Sequence, residues 1–369
     1  MTILHISTPV SWRGGEQQIA YLIKANNTAC HNLVFCPEHS ALHQHCVDHQ
    51  IDHHTFSSKG PFSLIAAAAL KSYCKRHKVS LVHCHDSHAH TMAVVAASIF
   101  GNKVPVIVHR RVDFPVHRSL FSRFKYNHSI IRRFVCVSEA IREMLVPALN
   151  HPEKAVCIHS SIDMSRFGSP LTSEAPLRAT YGLSPDTVLV GNTAALAPHK
   201  DYPTFVRTAA LLHKRFPDMR FVIIGDGPLR TAVRQSVEES GLSHKVIFTG
   251  FRKDIPALLP ELNIFLMTSK TEGLGTSILD AFASKVPVVA TKAGGIPELV
   301  EDGVTGLLAA VGNENQLAEA VSALISDAAH AREITDNAYH KALGFDYRIM
   351  GEKTLSLYRE VLQEMNANH

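Results

Sequence analysis

Short apolar runs rich in β-branched residues recur along the whole chain, and segments with apolar positions at helical spacing separate them. In the first half the runs are TILHIS (2–7), NLVFC (32–36), LVHCH (81–85), VPVIVH (104–109), RFVCVS (133–138) and AVCIHS (155–160). In the second half they are TVLVGN (187–192), RFVIIG (220–225), KVIFTG (245–250), IFLMTS (264–269), VPVVAT (286–291) and TGLLAA (305–310). Their apolar positions do not alternate with polar ones, as expected of parallel strands buried on both faces. EQQIAYLIKA, YPTFVRTAALLHKRF and NQLAEAVSALIS are among the helical segments between them. Two successive β/α series predict an α/β protein with two doubly wound parallel-sheet domains.

The break between the series falls in 163–186, which is rich in Ser, Pro and Gly and carries no strand pattern. We expect an N-terminal domain over 1–165, a linker over 166–186 and a second domain over 187–345. Beyond it, Leu355, Tyr358, Val361, Leu362 and Met365 stand near helical period and predict one terminal amphipathic helix.

Composition narrows the class. The chain has 369 residues, long enough for two domains, and is 46% apolar and 19% charged, so it is not mostly disordered. Its longest apolar stretches, 63–70 and 93–100, fall far short of the ~20 residues that span a bilayer. No basic region precedes the first apolar residues, so no signal peptide is expected and a cytoplasmic protein is. Lys and Arg total 37 against 33 Asp and Glu, with 24 His. Protonation of about a quarter of those histidines at pH 7 adds roughly six positive charges. Such a surface suits an anionic partner. Lys and Arg are nevertheless spread along the chain and no recognition motif is present, which argues against nucleic acid. The seven cysteines have apolar neighbours and no CxxC spacing, and read as buried free thiols.

In an open α/β sheet ligands bind beyond the carboxyl ends of the strands, so chemistry is sought in the turns that follow them. A Walker-type loop is absent, Gly225-Asp226-Gly227 has no third glycine to complete a dinucleotide fingerprint, and no Asp-x-Asp pair offers a carboxylate-held metal site. TSKTEGLGTSILDAFA (268–283) is the strongest feature. Glu272, Gly273, Leu274 and Gly275 lead into Thr276 and Ser277 at a predicted helix start, where free N–H groups and the helix dipole favour an anion. Asp280 lies about one turn on. A glycine turn with an ordinary Thr/Ser cap is the plainer reading. Gly14-Gly15 follows the first strand and opens a helix, in a turn common to many α/β proteins. Lys200 follows the first strand of the second series, where it would neutralise a diphosphate or simply face solvent. His109 ends a strand before Arg110 and Arg111, as a ligand contact or a hydrogen-bonded structural histidine.

Together these features resemble the retaining nucleotide-sugar glycosyltransferases of family 4, over essentially the whole chain and most densely in 269–308. The resemblance implies two Rossmann-like domains facing a central cleft, the GT-B architecture, with a final helix (346–369) crossing back to the first domain. It implies transfer of a sugar from a nucleoside-diphosphate sugar to a glycan or glycolipid, most often of lipopolysaccharide, capsule or a similar envelope glycoconjugate, with no cofactor and no metal required. Carried over, the family's Glu-x7-Glu pair falls on Glu272, beside the donor sugar, and Asp280, at the ribose hydroxyls and one methylene short. The diphosphate lysine is Lys200, but the arginine that often precedes it is Ala195 here, unless Arg252, Arg230 or Arg110 substitutes. Gly15 is the glycine that approaches the diphosphate, His109 the histidine near the donor sugar, and Gly250-Phe251-Arg252 the turn whose backbone meets the base.

Other readings stay open. A sugar-nucleotide 2-epimerase shares the architecture, and a catalytically silent sugar-nucleotide binding protein would fit Ala195 and Asp280. HRSLFSRFKYNHSIIRRF (117–134) mixes Arg118, Arg123, Lys125, Arg132 and Arg133 with aromatic and aliphatic residues. It reads as a peripheral contact with an anionic membrane or as a helix packed on its own domain. HCHDSHAH (83–90), like His39, His43, His45 and His49, carries zinc-ligand chemistry without a spacing that fixes four ligands, and exposed or hydrogen-bonded histidines are the plainer reading. His85 or Asp86 would alternatively touch an acceptor.

Overall fold

The computed structural model describes residues 1–57, 63–116, 119–168 and 176–367. The chain forms two compact units, one of residues 1–161 and 347–369, the other of 162–346.

The first unit is built on seven strands: β1 (Thr2–Ile6), β2 (His31–Pro37), β3 (His53–Phe56), β4 (Leu81–Cys84), β5 (Val106–Arg110), β6 (Ile131–Cys136) and β7 (Ala155–Cys157). All pair in parallel in the order β3-β2-β1-β4-β5-β6-β7. The second has β8 (Leu189–Thr193), β9 (Arg220–Ile224), β10 (Val246–Gly250), β11 (Ile264–Met267), β12 (Val288–Thr291) and β13 (Leu307–Ala309), parallel in the order β10-β9-β8-β11-β12-β13. Strand order reverses between β1 and β4 and again between β8 and β11. Those two switch points are where an open α/β sheet takes its ligands.

Strands β4, β5, β8, β11 and β12 are buried at every residue, which explains apolar runs without alternation. The sequence pattern has no run at β3, whose HHTF sequence is half-buried throughout. As an edge strand it needs no continuous apolar run, and Phe56 and His54 anchor it by stacking on Phe35 at 4.9 and 5.4 Å.

The terminal helix Tyr347–Ala367 packs inside the first unit against the helix Gly14–Asn26. Tyr347 stacks on Tyr21 at 5.7 Å, and Tyr358 and Val361 join Ile3, Leu81, Ile107 and Val135 of four neighbouring strands in one core. The segment expected as a linker is partly built into the second unit. Residues 169–175 lie outside the described part, but Leu177–Thr180 form a helical turn whose first N–H groups, on Leu177 and Arg178, each donate to the Glu261 carboxylate at 2.8 Å. All seven cysteines are free thiols and six are buried. Among the described residues no helix is long and apolar enough to cross a membrane.

Gly351 marks where the two helices touch, because a Cβ there would lie 2.3 Å from Ala25 Cβ. Gly351→Ala improves helix propensity yet should destabilise the protein by about 1–3 kcal/mol through overpacking. Ala25→Gly should recover part of that loss in the double variant, as read by urea unfolding; additive losses would show that the contact is not the cause.

Candidate functional site

The second unit's switch point is held by backbone bonds between two loops. After β8 the chain makes a 3-10 turn (Pro198–Lys200) and enters the helix Tyr202–Arg215 through Asp201, which is left-handed at φ 49°. Thr268, just after β11, donates its hydroxyl to the carbonyls of Lys200 and Asp201, each at 3.1 Å. The Lys270 N–H donates to His199 O at 2.8 Å, and Lys270 Nζ lies 3.3 Å from Asp201 Oδ1.

On this base Lys200 Nζ stands 2.6 Å from Glu272 Oε2, with each side chain only 14% exposed. The Ser269 hydroxyl donates to the same oxygen at 3.2 Å. The two residues expected at the diphosphate and at the sugar are therefore brought together as counter-ions. The Glu272 carboxylate thus fixes the position of the Lys200 ammonium beside the turn.

Gly275 is left-handed at φ 92° and itself starts the helix Thr276–Ala283, with no side chain capping it. The ordinary Thr/Ser cap is thus not what this turn holds. Thr276 and Ser277 are half-exposed in the first turn, Gly273 is half-exposed and Leu274 is buried beneath them. Farther along the helix, burial raises the Asp280 carboxyl to about pKa 6, with Arg166 opposing the shift.

β10 ends at Gly250, followed by Phe251, which is 64% exposed. Arg252 forks onto Asp254 at 2.8 and 2.5 Å. Arg230 pairs with Asp226 at 2.9 Å, and in the first unit Arg110 is held by Tyr126 Oη and the Phe114 carbonyl. The Gly225 and Gly227 positions have a packing cause instead of a dinucleotide one. Their Cβ atoms would fall 2.0 Å from Ala194 O and 2.7 Å from Leu196 N and O, so glycine lets the loop after β8 lie against the turn after β9.

In the first unit, among the described residues, nothing lies within 4 Å of a Cβ at Gly14, and only Arg111 Cδ, at 3.9 Å, near one at Gly15. The fold does not itself demand glycine there and the backbone at the helix start is open. Glu16 behind it is buried, accepting from Ser7 Oγ at 3.2 Å and from the Arg13 N–H at 3.1 Å. Burial lowers the Arg111 guanidinium to about pKa 10 against the pull of Glu16; the side chain reaches Ser160 Oγ at 3.3 Å. Sequence reasoning passed over Glu16, although an acid in the first turn behind two glycines was a visible signal.

His109 is not a lone strand-end histidine. It is buried, its Nδ1 is 3.4 Å from Arg111 Nη2, and its ring stacks on His83 at 5.4 Å. Burial pushes the imidazoles of His5, His83, His85 and His109 down, that of His5 to about pKa 4, so all are neutral at pH 7.

Asp86 is the N-cap of the helix Ser87–Ser98. Its Oδ1 accepts from the Thr8 hydroxyl and from the N–H groups of His88 and Ala89, and its Oδ2 from the Thr8 N–H, at 2.7–2.9 Å. His39, His43, His45 and His49 do not form a ligand set; His45 and His49 merely pack together at 4.0 Å.

The basic stretch is only partly exposed. Arg118 lies outside the described residues, and the helix spans only Leu120–Tyr126. Lys125 is buried, donating to Ser87 O at 2.7 Å and Ser87 Oγ at 2.9 Å, and Arg133 in β6 is paired with Glu360 and Glu364. Among its exposed residues are Leu120, Phe121 and Phe124, with Arg123 between them.

Comparison with known proteins adds family context. The model described as "Glycosyltransferase Family 4" matches residues 12–166, and the one described as "Glycosyl transferases group 1" matches 174–341. The chain is 31% identical over 190 residues to the alpha-D-kanosaminyltransferase of Streptomyces kanamyceticus, covering 51% of this chain and 49% of that one. It thus spans about half the length of that relative. It is 26% identical over 320 residues to the GDP-mannose-dependent alpha-(1-6)-phosphatidylinositol monomannoside mannosyltransferase of Mycolicibacterium smegmatis, covering 84% and 77%. Its fold matches the crystal structure of Anabaena Alr3699/HepE in complex with UDP and glucose, with TM-score 0.84, 24% identity and coverage of 98% and 100%.

The raised Asp280 pKa carries a stability cost whose sign is fixed. The folded chain holds that proton more tightly than the unfolded chain, so the stability is present below about pH 3.8 and is lost as pH rises through about 6. Asp280→Asn should therefore be more stable than the parent at pH 7.5, by about 1–3 kcal/mol. Urea unfolding at the two pH values should show the difference shrinking at pH 4.5; a constant difference would contradict the assignment.

Proposed function

The chain belongs to the group 1 and family 4 glycosyltransferases, and from that premise we propose that it is a retaining enzyme moving a sugar from a nucleoside-diphosphate sugar to a glycan or glycolipid acceptor, as in lipopolysaccharide or capsule assembly. The carrying observation is the β8/β11 switch point, where the Lys200–Glu272 pair sits beside the open helix start at Gly275. The diphosphate takes Lys200 from Glu272 and receives N–H groups of Thr276 and Ser277. Glu272 turns to the sugar hydroxyls, and Asp280 accepts from the ribose. Phe251, at the end of β10, offers its face to the base; β10 stands two strands from β8, roughly 10 Å, a nucleoside's reach.

As the anomeric C–O bond breaks, its electron pair goes to the diphosphate oxygen, whose growing charge meets Lys200 and the helix N–H groups. The acceptor oxygen bonds to the anomeric carbon from the same face and gives its proton to the leaving phosphate, which retains configuration. Charge is met without a metal. Both relatives named above are sugar transferases, so epimerisation and silent binding are not favoured.

Melting in the presence of UDP, GDP and their sugars should reveal at least one that raises the melting temperature. Lys200→Ala should lower transfer about a hundredfold, roughly 3 kcal/mol of barrier, with an α-linked product from an α-donor by NMR. An unchanged rate in Lys200→Ala would refute the clamp, and an inverted product would refute retention.

We further propose that Leu120, Phe121 and Phe124 rest on a membrane surface. Because Lys125 and Arg133 are already occupied, binding to anionic vesicles should persist at high salt and fall in Leu120→Ser/Phe124→Ser. No sedimentation of the parent chain with vesicles would remove this part of the reading.

A further inference from the structure

Three imidazoles converge inside the first unit. His5 of β1 is in register with His83 of β4, and His85 lies two residues on, on the same face of the sheet. All three are buried, at 1, 0 and 4% exposure. His5 Nδ1 lies 3.0 Å from His85 Nε2, and the rings of His83 and His85 are 4.2 Å apart. One nitrogen from each of the three lies within 4.8 Å of the other two.

The opposite nitrogens are fixed by neighbours. His5 Nε2 meets Asn32 Oδ1 at 3.1 Å, and Asn32 is itself oriented by donating its amide to Cys30 O at 3.3 Å. An amide oxygen only accepts, so His5 carries its proton on Nε2 and keeps the Nδ1 lone pair. His83 Nδ1 meets Tyr358 Oη at 2.6 Å. Among the described residues, His83 Nε2 and His85 Nδ1 have no hydrogen-bond partner although both are buried. A buried polar atom left without a partner is costly and calls for an explanation.

We propose that His5, His83 and His85 bind one first-row divalent cation, best matched by Zn2+, through His5 Nδ1, His83 Nε2 and His85 Nε2. The His85 proton, now between the two rings, moves to its Nδ1, so the ion gives a partner to His83 Nε2 and not to His85 Nδ1. Asn32 and Tyr358 then hold the outer nitrogens of two ligands, as outer-sphere partners do in metal sites. The 3.0 Å separation is near the ~3.4 Å between two nitrogens each ~2.1 Å from a tetrahedral zinc. A donor set of imidazoles alone selects zinc, copper, nickel or cobalt over magnesium and calcium. The ion would tie β1 to β4 and, through His83 and Tyr358, to the terminal helix.

Tag-free full-length chain, stripped with a chelator, is titrated with Co2+ alone and followed by its visible d–d absorption. One tight equivalent with the intensity of a tetrahedral site is expected. His5→Asn and His83→Gln should abolish it, whereas His90→Gln and His45→Gln/His49→Gln should keep it. For each variant that keeps its circular dichroism, added Zn2+ should raise the melting temperature of the parent and of the two controls only. No saturable equivalent in the parent, or binding lost with His45 and His49 in place of His5 and His83, overturns the proposal.

Discussion

The contact between Lys200 and Glu272 is the interaction on which the reading of this chain depends. Neither side chain is held there by its own segment alone. Strands β8 and β11 are neighbours in the sheet, so the loops that leave them start side by side. The Thr268 hydroxyl and the Lys270 N–H then bind one loop to the other. Gly275 adds the left-handed turn that brings a helix start beside the pair. A cation, an acid and uncapped N–H groups are thus fixed before any ligand arrives, so little reorganisation remains when charge develops.

Legibility in the sequence followed the range of the interactions. The strand runs could be read because burial on both faces is written locally in Val, Ile, Leu and Phe. β3 could not, because an edge strand of His-His-Thr-Phe leaves no such record. The motif at 268–283 was legible since its glycines, acid and helix start are contiguous. That Glu272 would neutralise Lys200 was not, because they are 72 positions apart. Arg133 likewise looked like a membrane cation until Glu360 and Glu364, on the far end of the chain, were placed beside it. Asp86 looked like a ligand because an N-cap that also binds Thr8 has no distinct spacing.

The first unit shows the same logic with buried polar groups. A row of histidines on adjacent parallel strands is unusual in an interior that otherwise holds Ile3, Leu81 and Ile107 on the same face. Burial keeps these rings neutral, and Asn32, Tyr358 and Arg111 each engage one nitrogen. Beside them, Gly14 and Gly15 leave backbone uncovered where packing would have admitted a side chain.

The most direct test of the central claim is a crystal structure of the chain with a bound nucleoside diphosphate. The account predicts phosphate oxygens within hydrogen-bond distance of Lys200 Nζ and of the Thr276 and Ser277 N–H groups, with Glu272 turned off the lysine. A diphosphate bound elsewhere, with the Lys200–Glu272 contact intact, would contradict it.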